Sequence, residues 1–332
     1  MPRQRRVIFE QRLYEIIPRA REGLPLPPTE TTNQLILGIL ARVQRDDKVT
    51  LCNFVDMNNH THQLVIPSDP EKLSRFYMEY QKKVTDTVRK LTKLNRLQLW
   101  EKGPSVPLIA ELEDAINQMV YIFLNPAKAG LVSSIDEYPG LSTWQYFKTC
   151  EASVDAEVSI EAYWTPVSNL ESLKNNNKLS PINDRAMAQR LRSNKKTQKY
   201  NLVIKPLAWL RCYGITEPKQ IESIRQRIIE AVYEGEAELN KERIAKKLPV
   251  MGAERLKRQG YLRSHTPKKK GRRIFVICGN NKLRPSIIAL FKEISHQCYE
   301  CYQLLKAGKP HNWPPGTFVP WLPPKTCQLA CF

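Results

Sequence analysis

Residues 49–94 constrain the fold most. The stretch VTLCNFV (residues 49–55) alternates apolar and polar side chains as a half-buried strand does, Asn58 and Asn59 supply a turn, and residues 62–66 form a second apolar run. Together they predict a hairpin with His60 and His62 at the entrance to its second strand. Pro70 then opens a run in which Leu73, Phe76, Tyr77, Tyr80, Val84, Val88, Leu91 and Leu94 recur at spacings of three and four, the apolar stripe of a long helix. A period of two followed at once by a period near 3.6 requires sheet and helix around one core.

Weaker patterns fill in the order. A strand is expected over residues 13–17 and a helix over 32–45, whose apolar face is Leu35, Ile36, Ile39, Leu40 and Val43. A strand region follows over 97–100 and 106–109, then a helix over 110–125 stopped by Pro126. The sequence β-α-β-β-α-β plus a helix is the ferredoxin-like plan, an α+β fold with an antiparallel sheet. Beyond about residue 147 the character changes to a mainly helical, basic region. The expected division is therefore 1–147 and 148–332, the second ending in a proline-rich extended tail, KPHNWPPGTFVPWLPP.

The 332 residues carry 52 Lys and Arg against 33 Asp and Glu, a formal +19, which favours a polyanionic partner. No apolar run is long enough for a membrane span or a signal peptide, so a cytoplasmic protein associated with the nucleoid is expected. Eight scattered cysteines do not form a disulfide scaffold. Cys298 and Cys301, with His296, Cys327 and Cys331, can be written as a zinc site. The stripe Ile287, Phe291, Ile294, Cys298, Cys301 and Leu305 argues instead for a helix that buries both thiols.

The two histidines occupy alternate strand positions, so they share a face and can reach one ion. Alone, the pattern is better read as two exposed turn histidines. In the later helix, Leu112, Ala115, Ile116, Met119, Val120 and Phe123 form the core stripe, which leaves Asn117, Tyr121 and Asn125 on another face. A tyrosine there also suits capping of a core edge.

Taken together, MNNHTHQLV (57–65), VYIFLNPAKAGLV (120–132) and DEYPGLSTWQYF (136–147) resemble, in order and spacing, the motifs of the REP-associated tyrosine transposases, within the single-tyrosine HUH transposase superfamily. The resemblance covers roughly residues 5–147. It implies that His60 and His62 bind Mg2+ or Mn2+ with Asn125 as third ligand, and that Tyr121 is the nucleophile. The product would be a 5′-phosphotyrosyl bond to single-stranded DNA, often beside a hairpin. A phenol of pKa about 10 is roughly one part in a thousand ionised at pH 7, and a divalent ion on the phosphate offsets the repulsion of the diester anion. Three positions depart from the pattern. Asn58 stands for the usual proline, Val120 for the usual arginine and Lys128 for a common arginine, and the first two bear on activity and DNA preference.

Basic stretches are expected to hold the DNA backbone. They comprise Arg3, Arg5 and Arg6 at the start, Lys195, Lys196 and Lys199 in the run 174–211, and Lys268, Lys269, Lys270, Arg272 and Arg273 in the run 255–273. Tyr200, Trp209, Tyr213 and Tyr261, interleaved with them, are expected to stack on unpaired bases; solvated faces are the plainer reading of each run. The expected function is a metal-dependent DNA nickase and strand transferase acting as a monomer or a homodimer. A hairpin-binding protein derived from one, or an RNA-binding protein, are the alternatives.

Overall fold

In the computed structural model, residues 6–21, 26–101, 103–173, 181–261 and 274–319 are described. The first elements are β1 (Tyr14–Ile16), α1 (Glu30–Asp47), β2 (Thr50–Met57), β3 (His60–Ile66), α2 (Pro70–Thr92), β4 (Leu108–Ile109) and α3 (Leu112–Lys128). Local chemistry sets their ends. Thr29 caps α1 by accepting from the Thr32 amide, and Asp69 caps α2 by accepting from Glu71 and Lys72, with Pro70 in the first turn. Asn58 and Asn59 turn the β2–β3 hairpin, whose register pairs Met57 with His60 and Val55 with His62.

Later come β5 (Val158–Trp164), α5 (Pro181–Ser193), β6 (Gln198–Ile204), α6 (Pro218–Ala245), α7 (Ala253–Lys257), β7 (Val276–Ile277) and α8 (Leu283–Lys306), with the short α4 (Trp144–Thr149) before them. The described strands form one sheet in the order β5-β6-β2-β3-β1-β4-β7, antiparallel except where β2 meets β6 and β4 meets β7. The fold is mixed α+β, and strands from before and after residue 147 share the sheet.

Strand alternation splits the core into two layers. Tyr14, Ile16, Phe54 and Val65 face α1 and α2, while Leu13, Val55 and Leu64 face α3 and α6. His62 lies on the second face, because it alternates with Leu64 along β3.

Three expectations need correction. Residues 97–100 form no strand: Trp100 makes only an isolated bridge to Ala20, while its indole donates to the Gln81 carbonyl of α2 at 2.8 Å. Pro126 does not end α3, which continues to Lys128. A proline this close to a helix end forfeits few backbone bonds, and the stop is instead Gly130. At φ +68 it lets Gly130 N reach Ala127 O (2.9 Å) and Leu131 N reach Pro126 O (3.0 Å). Trp209 and Tyr261 are buried, the Tyr261 hydroxyl 2.5 Å from that of Thr32, so neither offers a face to a base. Of the tail, residues up to 319 are described: a turn runs over 315–317, Trp313 and Phe318 pack against the core, Val319 is exposed, and Ile8 N bonds Gly316 O at 2.8 Å.

Candidate active site

His60 and His62 stand side by side on one face of β3, ring centroids 4.9 Å apart and nearly perpendicular at 76°. Each ring is held from behind. Glu15 Oε1 lies 2.5 Å from Nδ1 of His62, and Asn59 Oδ1 lies 2.7 Å from Nδ1 of His60. Both partners are acceptors, so each Nδ1 donates; Nε2 of His62 in turn accepts from the Asn125 amide, a hydrogen bond that a cation would have to replace. Burial, then the neighbouring His62 and Arg19, holds the His60 pKa well below its ordinary value, so this imidazole is neutral at pH 7.

Helix α3 supplies the facing groups. Asn125 is buried, with Nδ2 3.0 Å from Nε2 of His62. The Tyr121 ring stands edge-on to His62 at 5.8 Å and 83°, and at 37% exposure it is open to solvent. Lys128, two turns along, places Nζ 5.1 Å from the Tyr121 ring centroid. On the other side Arg19, exposed, pairs with His60 across an antiparallel bridge; directly opposed residues share a face, so its cation lies beside the histidines.

The two imidazoles and an amide that can present Oδ1 by a half-turn of its plane could together hold one divalent cation. The buried Glu15 stands behind His62 and holds its ring from the side away from Asn125. A second group, Glu111, Asp114 and Cys278, brings ligand atoms within 4.8 Å of one another. Its carboxylates already receive Gly279 N (2.7 Å, on Asp114) and Asn280 Nδ2 (3.3 Å, on Glu111), and burial raises the Cys278 pKa, which keeps the thiol protonated. In α8, Cys298 is buried against Thr317, whereas Cys301 is only half-buried, 3.1 Å from the Asn312 carbonyl, and the side chain of His296 is exposed.

Sequence reasoning missed Glu15, Gln118 and Arg19. Asn117, expected beside Tyr121, is exposed; Gln118 takes the inner position and donates to Glu15 Oε2 at 2.9 Å. The available signal was a carboxylate between Tyr14 and Ile16 at a strand position whose alternation points inward, where an acid needs a partner.

The proposed DNA-backbone residues scatter. Arg6 folds its guanidinium onto the Tyr77 hydroxyl and the Pro104 carbonyl. Lys195 and Lys196 are exposed before β6, and Lys199 is ion-paired with Glu161. Since β6 runs parallel to β2 and only its last residue, Ile204, reaches Leu51, these lysines sit at the end of the sheet opposite the histidines. Arg3, Arg5, Lys268, Lys269, Lys270, Arg272 and Arg273 lie outside the described residues.

No protein-family model and no curated protein matches the chain. A solved structure of a REP-associated tyrosine transposase bound to a REP hairpin aligns with 44% of this chain and 84% of its own, at 21% identity and a TM-score of 0.38. At that level of likeness a functional reading rests on this chain's own residues.

Two of the departures from the motif meet the C-terminal region. Asn58, buried, donates from Nδ2 to Gln259 Oε1 at 2.7 Å. Val120 is half-buried in the apolar cluster that includes Ile228 and Val232 of α6, a place where an arginine would bury its charge.

Proposed function

We propose that the protein is a divalent-metal-dependent nickase and strand transferase for single-stranded DNA, working through a covalent link to Tyr121. The observation that carries the reading is the convergence of His60, His62, Asn125 and Tyr121 from a strand and a helix far apart in sequence. In this reading His60 Nε2, His62 Nε2 and Asn125 Oδ1 hold Mg2+ or Mn2+, which when bound supplies positive charge and orientation at the scissile phosphate.

The Tyr121 oxygen attacks phosphorus, losing its proton, and the P–O3′ bond breaks; the released 3′-oxygen takes up a proton and the 5′-phosphate remains on the phenol. Because the diester energy is retained, a second 3′-hydroxyl can attack the phosphotyrosine and reseal the strand. Glu15 fixes the His62 tautomer, and Arg19 and Lys128 offer cations on either side. The motif resemblance supports hairpin-flanked DNA as substrate. The ferredoxin-like assignment of the β2-β3-β1-β4 portion belongs to the same proposal.

The test is incubation with labelled hairpin-flanked single-stranded DNA and Mn2+. A denaturation-resistant adduct that Tyr121→Phe abolishes supports the reading. An adduct persisting in that variant removes the nucleophile assignment, and no adduct on any DNA favours a hairpin-binding protein without catalysis.

A further inference from the structure

The two halves of the site, the His60/His62 hairpin and the Tyr121/Asn125 helix, are both gripped by one stretch of the C-terminal region. Helix α6 lies along α3: Arg227 pairs with Glu113 at 2.7 and 2.9 Å, and Gly235 sits so close to Leu124 that a Cβ there would meet its Cδ1 at 2.7 Å. Towards its end α6 seizes the last turn of α3 and the loop beyond. Buried Glu236 accepts from Ile135 N at 2.6 Å, and Asn240 donates to Ser133 O at 3.2 Å. Arg243 Nη2 donates to both Ala127 O and Lys128 O at 3.1 Å, adding a side-chain donor to the carbonyls of the helix end, of which Ala127 O also receives Gly130 N.

The chain then crosses to the hairpin. Met251 N and Gly252 N bond Gly130 O and Leu131 O, each at 2.8 Å, Leu256 is buried in the cluster of the α3 layer, and Gln259 receives the Asn58 amide at the hairpin turn. Asn58 adjoins Asn59, the residue that holds the His60 ring. Gln259 also reaches back to Met251 Sδ at 3.1 Å, closing the bridge on itself.

We propose that residues 236–259 are a splint that sets the helix of Tyr121 and Asn125 against the histidine hairpin, with Arg243 and Gln259 as its positioning residues. This role rests on the reading of the site given above. The ligands come from both elements, His60 and His62 from one and Asn125 from the other, so slippage between them separates the donor set and moves the phenol from the phosphorus. Misplacement of about 1 Å costs on the order of a hundredfold in rate.

The test compares Arg243→Gln, Gln259→Leu and the conservative Arg243→Lys in the full chain. Three readouts are taken well below each variant's melting midpoint: Mn2+ affinity without DNA, single-turnover adduct formation at saturating DNA and Mn2+, and the DNA concentration for half-saturation. The splint predicts weaker Mn2+ binding and adduct rates lowered by about tenfold or more in the first two variants. Half-saturation by DNA should move less than twofold, and Arg243→Lys should recover part of the rate. A lowered midpoint with unchanged Mn2+ affinity and rate would mean scaffolding alone and overturns the proposal. If Arg243→Gln does not fold, Gln259→Leu decides by the same measures. Wild-type protein that binds Mn2+ but forms no adduct fails the catalytic reading, while the Mn2+ arm still decides the splint; no Mn2+ binding at all ends both.

Discussion

Glu15 Oε1 and His62 Nδ1 lie 2.5 Å apart, and both side chains are 1% exposed. A buried carboxylate that only accepts a hydrogen bond locks the ring tautomer and makes Nε2 a better donor towards a cation. Glu15→Gln keeps the size of the side chain and removes the ionisable carboxyl. Its Mn2+ affinity, by calorimetric titration, is expected to fall about 10–100-fold with an unchanged circular dichroism spectrum. Unaltered affinity would relegate Glu15 to satisfying a buried histidine.

Arg19 and Lys128 flank the histidines and the tyrosine. In a Tyr121→Phe background, which avoids covalent trapping, Arg19→Gln should weaken single-stranded DNA binding. The log–log salt slope should fall by about 0.7, the share of one phosphate that is no longer neutralised. Lys128→Gln should do the same, whereas Lys195→Gln, at the far end of the sheet, should leave the salt slope unchanged. Equal slopes for wild type and Arg19→Gln would take Arg19 off the DNA path.

Gly130 ends α3 at φ +68, and a Cβ there would lie 2.7 Å from an Arg243 guanidinium nitrogen. Gly130→Ala therefore combines left-handed strain, about 1–2 kcal/mol, with displacement of Arg243 from the helix end. Denaturant unfolding should show a loss of at least that strain. A neutral result would show that the last turn adapts freely.

Buried Asp56 accepts from Thr61 Oγ1 at 2.7 Å, on the face of the hairpin opposite His62, near the Tyr80 hydroxyl; the Tyr138 hydroxyl donates to its backbone carbonyl. Burial raises its carboxyl pKa to about 7, partly offset by the Thr61 hydrogen bond. Since the folded state holds this proton more tightly than the unfolded chain, whose aspartate titrates near 3.9, the contribution is full below about pH 4. It is lost as pH rises to about 7, at most about 4 kcal/mol. Asp56→Asn, which keeps the acceptor oxygen, should flatten stability measured from pH 5 to 8. The same slope in both proteins would exclude Asp56 as its source.

The hairpin and the long helix after Pro70 were legible because each rests on local periodicity, and motif spacing pointed to the four side chains that the fold brings close together. Glu15 was harder to see: its role arises when β1 pairs with β3 and sets residue 15 opposite Leu64, a pairing that no local pattern encodes. The end of α3 was misread because proline is a weaker stop near a helix terminus than the glycine four residues on. Trp209 and Tyr261 were misread because a basic neighbourhood says nothing of which way an aromatic ring points. The C-terminal bridge was invisible for the same reason as Glu15, since Arg243 and Gln259 gain meaning only from partners more than a hundred residues away.

The central claim is that two histidines and an asparagine gather one cation in front of Tyr121. A crystal soaked in Mn2+ and measured at a wavelength where manganese scatters anomalously tests it most directly. The expected result is a peak among His60 Nε2, His62 Nε2 and Asn125 Oδ1, on the side facing the Tyr121 hydroxyl. A peak only at Glu111, Asp114 and Cys278, or none at the histidines at saturating Mn2+, would contradict it.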